Sequence, residues 1–300
     1  MTYTELYKYS IDKLNLAGIE EADSDTRLLF SHVFKVDRGF LFVHGDEAVL
    51  ADQEEEFLKM LSLREKRIPL QHITGIQNFM GLDFTVTKDV LIPRFDTECL
   101  VEEAMIYCHD GDKVLDVCTG SGCILISLMN YKNNIRGFGL DISEEALDIA
   151  RLNAEKLCKQ ESLELPCGDL NDFNDDLDYV NPKFIQSDLY TNLDEKDFDI
   201  IVSNPPYIRS DIIPTLMPEV RDYDPMLALD GGDDGLIFYR RIIGESGQYL
   251  KKGGVLLVEI GHDQGEEVYQ IFSDNGFTDI NVIKDLSGND RVVRGKLKSL

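Results

Sequence analysis

The sequence predicts an α/β protein: an open, mostly parallel sheet covered on both faces, preceded by a small helical domain and a β-hairpin. Three observations carry this. From residue 96 onward, strand-like and helix-like runs alternate, as repeated β-α-β units do. The strand runs, among them "KVLDVC" (113–118) and "FDIIVSN" (198–204), are almost continuously apolar, as strands buried on both faces must be. Residues 1–67 instead carry helical periodicity and many charges, with few strand signals.

Taken in order, "TELYKYSIDKLNLAGI" and "EEEFLKMLSLREKRI" belong to about four short helices. Pro69 and the turn-prone "HITG" (72–75) end them, which sets a first domain at 1–75. "IQNFMGLDFTVTKDVLIP" (76–93) alternates around a central glycine and reads as a β-hairpin linker over 76–95. The remaining 96–300 form the sheet domain. Helix 97–108 leads to strand 113–118, helix 122–130 to strand 135–142, and helix 143–158 starts on Ser143. That serine is a good N-cap, and Glu144 and Glu145 follow in the positive end of the helix dipole. Strands 183–188 and 198–204, helix 234–250, strand 253–260, helix 263–274 and two closing strands near 278–286 and 291–296 complete the pattern. The Asp-rich stretch 159–181 interrupts it and reads as a solvated insertion.

Bulk composition narrows the function classes. With 300 residues and 43% hydrophobic content, the chain can build one large domain or two. No apolar run approaches the length of a membrane span, and charges occupy the place of a signal peptide's apolar core. Net charge is −26, with 56 acidic against 30 basic residues and no basic cluster, so nucleic acid is not an expected partner. The six cysteines form no C-x-x-C pair and read as free thiols in a reducing cytoplasm. The five histidines show no metal-ligand spacing, and no metal is expected.

In an open parallel sheet, ligands bind beyond the carboxyl ends of the strands. "VLDVCTGSGCI" is a strand that runs into a Gly-rich turn and a helix; Gly120 and Gly122 let a ligand approach the backbone. Asp141 ends the next strand, where a carboxylate can accept from both hydroxyls of a ribose. A dinucleotide such as NAD fits less well. Leu125 stands where a third glycine would be needed, and Asp116 would oppose a pyrophosphate. A carboxylate there suits a cationic ligand, such as the amino-acid end of S-adenosylmethionine. Asp188, at the end of a further strand, can accept from an adenine amino group.

The fourth strand end is Asn204-Pro205-Pro206-Tyr207. Asn204 and Pro205 both precede prolines and are held extended, which makes a stiff loop. The Asn204 side-chain oxygen and the Pro205 carbonyl can converge on one NH2 group, and Tyr207 offers a flat face. Two such acceptors favour a pyramidal nitrogen and aim its lone pair at a methyl sulfonium. The loop therefore suits methylation of a planar amide or aminopurine nitrogen.

"NPPY" with "DVCTGSG" and "LDIS" resembles the class I S-adenosylmethionine-dependent amino-methyltransferases. Motifs of that kind occur in adenine-N6 nucleic-acid methyltransferases and in glutamine-N5 protein methyltransferases. "QHITGIQNFMGLDFTVTKDVLIPRFDTECLV" (71–101), "EVRDYDPMLALDGGDDGL" (219–236), "VLLVEIGHDQ" (255–264) and "KDLSGNDRVVRG" (284–295) resemble the peptide chain release factor N5-glutamine methyltransferases, the HemK/PrmC family. The resemblance covers about 71–300. It implies a Rossmann-like domain with a mostly parallel seven-stranded sheet and closing antiparallel strands. It also implies methyl transfer to the glutamine of a Gly-Gly-Gln loop, with S-adenosylhomocysteine as product, by a cytoplasmic and monomeric enzyme.

Carried over by motif, Asn204, Pro205 and Tyr207 would be catalytic, with Pro206 shaping the substrate pocket. Cys118, Thr119, Gly120, Ser121 and Gly122 would cradle the cofactor with Asp116, Asp141, Asp188, Leu189 and Asn204. Phe79 and Arg94 would wall the pocket from the hairpin side, and the helical domain would dock the protein substrate. Two departures stand out: the family's usual "PRPETE" is "PRFDTE" (93–98), and the first glycine of "GTGSG" is Cys118. The rival activities are adenine-N6 methylation of DNA or RNA, which the core motif permits, and cofactor binding without turnover.

Overall fold

The computed structural model describes residues 1–37, 39–158 and 181–299. The expected insertion at 159–181, with Cys167, lies outside the described residues except for its last position. Two compact units emerge: Met1–Ile76 with Leu216–Tyr223, and Gln77–Thr215 with Asp224–Leu300.

The first unit contains helices α1 (Tyr3–Leu16), α2 (Ala22–Phe34), α3 (Phe40–His44), α4 (Ala51–Glu65) and α5 (Leu70–Thr74). Thr2 and Glu5 form a capping box at the start of α1, so two otherwise unpaired backbone N–H groups are satisfied. Leu6, Leu14, Leu29, Phe30, Phe57 and Leu61 make an apolar core at helical spacing. Residues 216–223 join this unit as the short helix α9 (Pro218–Arg221) with its flanks. A buried charge network holds them. Arg64 donates to Asp25 at 2.7 Å and to Glu219 at 3.0 Å, and Arg67 donates to Glu219 at 2.7 Å. Removing Glu219 would leave Arg67 without this carboxylate and Arg64 with Asp25 alone, at a cost below the about 3–5 kcal/mol of a fully buried pair.

The second unit holds the hairpin β1 (Ile76–Phe79) and β2 (Leu82–Thr85), helix α6 (Phe95–Tyr107), and strands β3 (Lys113–Val117), β4 (Arg136–Asp141), β5 (Lys183–Gln186), β6 (Phe198–Ser203) and β7 (Leu250–Glu259). Helices α7 (Cys123–Tyr131), α8 (Glu144–Leu157), α10 (Met226–Leu229), α11 (Ile237–Ser246) and α12 (Gly265–Asp274) pack with strands β8 (Phe277–Lys284) and β9 (Asp290–Leu297). The sheet order is β5-β4-β3-β6-β7-β9-β8. The first five strands are parallel, and β9 runs antiparallel to both β7 and β8. The predicted seven-stranded sheet with closing antiparallel strands is thus present. Order reverses between β3 and β6, so the crevice opens beyond Val117 and Ser203, which are register partners. Ser203 also donates to the Val117 carbonyl at 2.6 Å and ties the two strand ends together.

Side chains of α6, α7 and α8 fasten the hairpin, and one of them also reaches the turn after β3. Asn153 of α8 is fully buried; its amide meets Thr85 N and O at 2.7 and 3.0 Å and reaches the Ser121 carbonyl at 3.0 Å. Phe79 and Phe84 of the hairpin pack edge to face within an apolar cluster that includes Leu100, Leu125 and Ile200.

Candidate active site

A cavity lies beyond the carboxyl ends of β3, β4 and β6 and encloses about 1130 Å³ with its open mouth included. That is ample for a nucleoside-sized ligand. Its floor is the turn that follows β3. Cys118 (φ 63°), Gly120 (φ 55°) and Gly122 (φ 79°) all take left-handed backbone conformations. A Cβ on Gly120 would meet nothing within 4 Å and would project into open space, whereas one on Gly122 would lie 2.9 Å from Ile126 Cδ1. The first glycine leaves room above the turn, and the second lets α7 pack against α8. Cys118 reaches the same conformation without the freedom of glycine, and its backbone is strained.

Asp116 does not line the cavity, contrary to the expected direct contact with a ligand. It is fully buried, and the Thr119 hydroxyl, which does line the cavity, donates to its Oδ2 at 2.6 Å. Its Oδ1 has no hydrogen-bond partner. Burial pushes its pKa up to about 7, and Asp141 adds to the rise. Asp141 lines the cavity. It accepts Gly120 N–H at 2.9 Å and Ser143 N–H at 3.0 Å. Each carboxylate oxygen keeps a lone pair for a further donor. Asp188 and Leu189 are also on the wall; Asp188 Oδ1 is 2.9 Å from an Arg241 guanidinium, which competes with any ligand amine for that oxygen.

At the end of β6, Asn204 and Pro206 face the cavity. Asn204 Nδ2 donates to Thr97 Oγ1 at 3.2 Å, and no described protein group donates to its Oδ1. Tyr207 does not offer its ring to the cavity as expected. Its hydroxyl turns back to donate to Glu259 Oε1 at 3.3 Å, and its carbonyl accepts from Gln264 Nε2 at 3.1 Å. Pro205 is buried between these two and is likewise absent from the lining. Arg94 does line the cavity and donates to Asp224 Oδ2 at 2.5 Å. Phe79 does not: it is fully buried in the apolar cluster under the hairpin, because its large ring is satisfied by Phe84 and the α6 and α7 side chains.

The sequence reading missed a share of the wall. Asp89, Val90 and Leu91 come from the segment after the hairpin, and Leu227 and Ala228 from α10. Pro225, the residue just before α10, was a readable signal for a helix start. Nothing local pointed those side chains at the cavity. Among the described residues, no cluster of three or more His, Cys, Asp or Glu could hold a metal ion. No helix among them is long and apolar enough to cross a membrane.

The sheet order and the crevice define a class I methyltransferase fold. A crystal structure of a methyltransferase from Pyrococcus furiosus shares it, with a TM-score of 0.50 and 16% identity over 83% of this chain and all of that one. Two family models match: the PrmC N-terminal domain over residues 5–75, and the Eco57I restriction-modification methylase over 133–225. A release factor glutamine methyltransferase of Clostridium acetobutylicum is 41% identical over 90% of this chain and 89% of its own. One of Geobacter sulfurreducens is 39% identical over 93% and 91%. The chain belongs to the release factor glutamine methyltransferase family.

Proposed function

We propose that this protein transfers the methyl group of S-adenosylmethionine to the side-chain amide nitrogen, N5, of a glutamine in peptide chain release factors, within a Gly-Gly-Gln loop. The observation that carries the chemistry is Asn204. Its Nδ2 is committed to Thr97 and its Oδ1 is left on the cavity wall as an acceptor for a substrate NH2. Family membership favours glutamine over the adenine alternative. The Eco57I match, over 133–225, includes β4 and the Asn204–Tyr207 loop, which both classes share.

The residues present suit the cofactor. Gly120 leaves a ligand-sized gap over the turn, and Asp141 keeps acceptor capacity for ribose hydroxyls. Asp116, with Oδ1 unpartnered and Oδ2 accepting from Thr119, sets a carboxyl group behind the turn that would face a cationic amino-acid group. Ser121, Gly122, Cys118 and Leu189 shape the rest of the bed, and Asp188 stands beside the base. The cofactor supplies an electrophilic methyl on a sulfonium.

Toward it, Asn204 Oδ1 on the cavity wall accepts from the glutamine amide. That favours a pyramidal nitrogen with its lone pair on the methyl side and stabilises the positive charge that grows there. Pro206 and Arg94 limit how the glutamine enters. Tyr207 braces the loop from behind. No strong base is required before transfer, since the proton can leave afterwards.

The helical unit, residues 1–75 with the inserted α9, docks the release factor. The hairpin region 76–95 links it to the sheet domain at 96–300. A short Gly-Gly-Gln peptide processed with the same kcat/KM as intact release factor would defeat that docking role. We place the enzyme in the cytoplasm as a monomer without nucleic-acid partners, on the strength of the −26 charge and the release factor as substrate.

The test is mass spectrometry of purified release factor after incubation with the protein and S-adenosylmethionine. The expected result is a gain of about 14 Da, one methyl replacing one hydrogen, on the Gly-Gly-Gln glutamine. Methyl found on DNA or RNA instead would replace this reading with the adenine one.

A further inference from the structure

Two stretches that stand out in the sequence, 219–236 and 255–264, meet at the Tyr207 end of the Asn204–Tyr207 loop. Gln264, just before α12, is buried, and both sides of its amide are engaged. Nε2 donates to the carbonyls of Tyr207 and Gly235 at 3.1 and 3.3 Å. Oε1 accepts Gly261 N–H at 2.9 Å and lies 3.3 Å from the Tyr239 hydroxyl. Two glycines press on the same backbone. A Cβ on Gly231 would lie 2.8 Å from Tyr207 C and Cα, and one on Gly235 (φ 71°) would lie 2.5 Å from Tyr207 O. Just beyond Tyr207, Ile208 N–H donates to the Leu229 carbonyl at 3.0 Å, and the Ile208 carbonyl accepts Gly231 N–H at 2.8 Å.

We infer that Gln264 is a positioning residue for methyl transfer: by gripping the Tyr207 carbonyl it pins one end of the loop that carries Asn204 and Pro206 on the cavity wall. This rests on the reading of that loop as the one that holds the substrate amide. The other end is pinned independently. Ser203 is in register with Val117 and donates to its carbonyl at 2.6 Å. Between the two pins stand only Asn204, Pro205 and Pro206. The proline rings lock two of the three φ angles, and Asn204 and Pro205, each before a proline, are kept out of the helical region. A connection this stiff, held at both ends, leaves Asn204 little freedom. Released at Tyr207, it can pivot about Ser203.

The same contacts tie the loop to another part of the wall. Leu229, Gly231 and Gly235 belong to the link from α10 to α11, and Leu227 and Ala228 of α10 and Phe238 of α11 line the cavity together with Asn204 and Pro206. Gln264, holding Gly235 and Tyr207 with one nitrogen, sets the loop against that link. Neither Gln264 nor the two glycines line the cavity themselves, so they act on a substrate only through the groups they hold. The bed of the cofactor, at Cys118–Gly122 and Asp141, takes no hydrogen bond from Gln264.

Gln264→Met keeps the length of the side chain and removes its hydrogen bonds, and Gly235→Ala sets a methyl group against the Tyr207 carbonyl. The experiment measures the thermal midpoint, the Kd of S-adenosylmethionine, and kcat and KM for release factor in wild type and both variants, with the kinetics run well below each midpoint. Expected in both variants is a kcat lower by roughly ten- to a hundredfold, the loss that follows a shift of about 1 Å in a group that must be aligned. The cofactor Kd and the KM should change less than about threefold. A merely structural Gln264 would lower the midpoint and leave kcat as in wild type. An undiminished kcat in Gln264→Met, or kcat and cofactor affinity lost together there, overturns this inference alone. If that variant does not fold, an undiminished kcat in Gly235→Ala overturns it equally. No methyl transfer by the wild type to any release factor overturns the functional reading, and this inference with it.

Discussion

The Arg94 guanidinium donates to Oδ2 of Asp224 at 2.5 Å, and the Asp224 side chain is 0% exposed. Arg94 ends the segment that walls one side of the cavity, and Asp224 immediately precedes Pro225 and α10, which wall another. The pair is a clasp across the cavity rim. Burial pushes the Asp224 carboxyl up, and Arg94 opposes that rise. Arg94→Ala leaves the carboxylate buried and unpaired. We expect a loss of about 2 kcal/mol in stability, read by chemical denaturation, less than for a fully buried pair because Arg94 is 42% exposed. Asp224→Asn, which removes the buried charge and leaves the half-exposed Arg94 to solvent, should lose less.

Asn204→Ala separates turnover from binding. We expect kcat to fall by about 10²–10³ while the Kd of S-adenosylmethionine stays within about threefold, because the lost group acts on the amide during transfer. Isothermal titration beside a radioactive methyl assay reads both. Equal losses in the two would contradict the role given to its Oδ1.

Asp116 makes stability depend on pH in a sense opposite to that of a salt-bridged carboxylate. Its pKa is raised from 3.8 to about 7 by burial. Between those values the folded state holds a proton that the unfolded state has released. Stability therefore falls as pH rises through this window and stays lower above it. Glu259, also raised to about 7, adds a component of the same sign. Asp116→Asn, which still accepts from Thr119, should show a smaller decline between pH 4 and 7 in thermal denaturation than wild type. An identical decline would mean that the Asp116 carboxyl does not carry it.

Cys118 sits at φ 63°, where its Cβ costs roughly 1–2 kcal/mol. Cys118→Gly relieves that strain and gives back about 0.5–1 kcal/mol in unfolded-chain freedom. A net gain of up to about 1 kcal/mol is expected, whereas Cys118→Val should be clearly destabilised by its branched Cβ. Denaturant midpoints of the three proteins, compared at equal slope, decide this.

What could be read from the sequence was what local chemistry writes down. The apolar runs of β3 and β6, the Ser143 cap and the Gly-rich turn declare themselves within a few residues, and all appear where the pattern put them. Asn204 could be picked out because two prolines stiffen its loop in any context. Phe79 could not be placed, since an aromatic at a hairpin end serves a core or a pocket equally well. Only the packing of Phe84 and Leu100 around it decides. Tyr207 was read as a flat face, but the direction of its hydroxyl depends on Glu259, far along the chain. The motifs at 93–98, 255–264 and 284–295 make sense together: Asp96 pairs with Arg291 at 3.2 Å, Thr97 accepts from Asn204, and Glu259 accepts from Tyr207. That convergence is a property of the sheet order and is invisible in any one stretch.

Because Glu219 answers to Arg64 and Arg67, the helical unit is not an appendage that begins and ends before the sheet domain. A single cut near residue 75 would produce two defective pieces: one lacking Glu219, which pairs with Arg67 and is one of two carboxylates on Arg64, the other trailing a segment that belongs to the first unit. For this chain the module that can be exchanged, fused or transplanted is defined by two breaks in the polypeptide on the C-terminal side, at the ends of 216–223, as well as the one that follows the hairpin's first residue. Recombination with a relative at one crossover would mix arginines from one parent with a glutamate from the other, so these three positions should travel together or not at all.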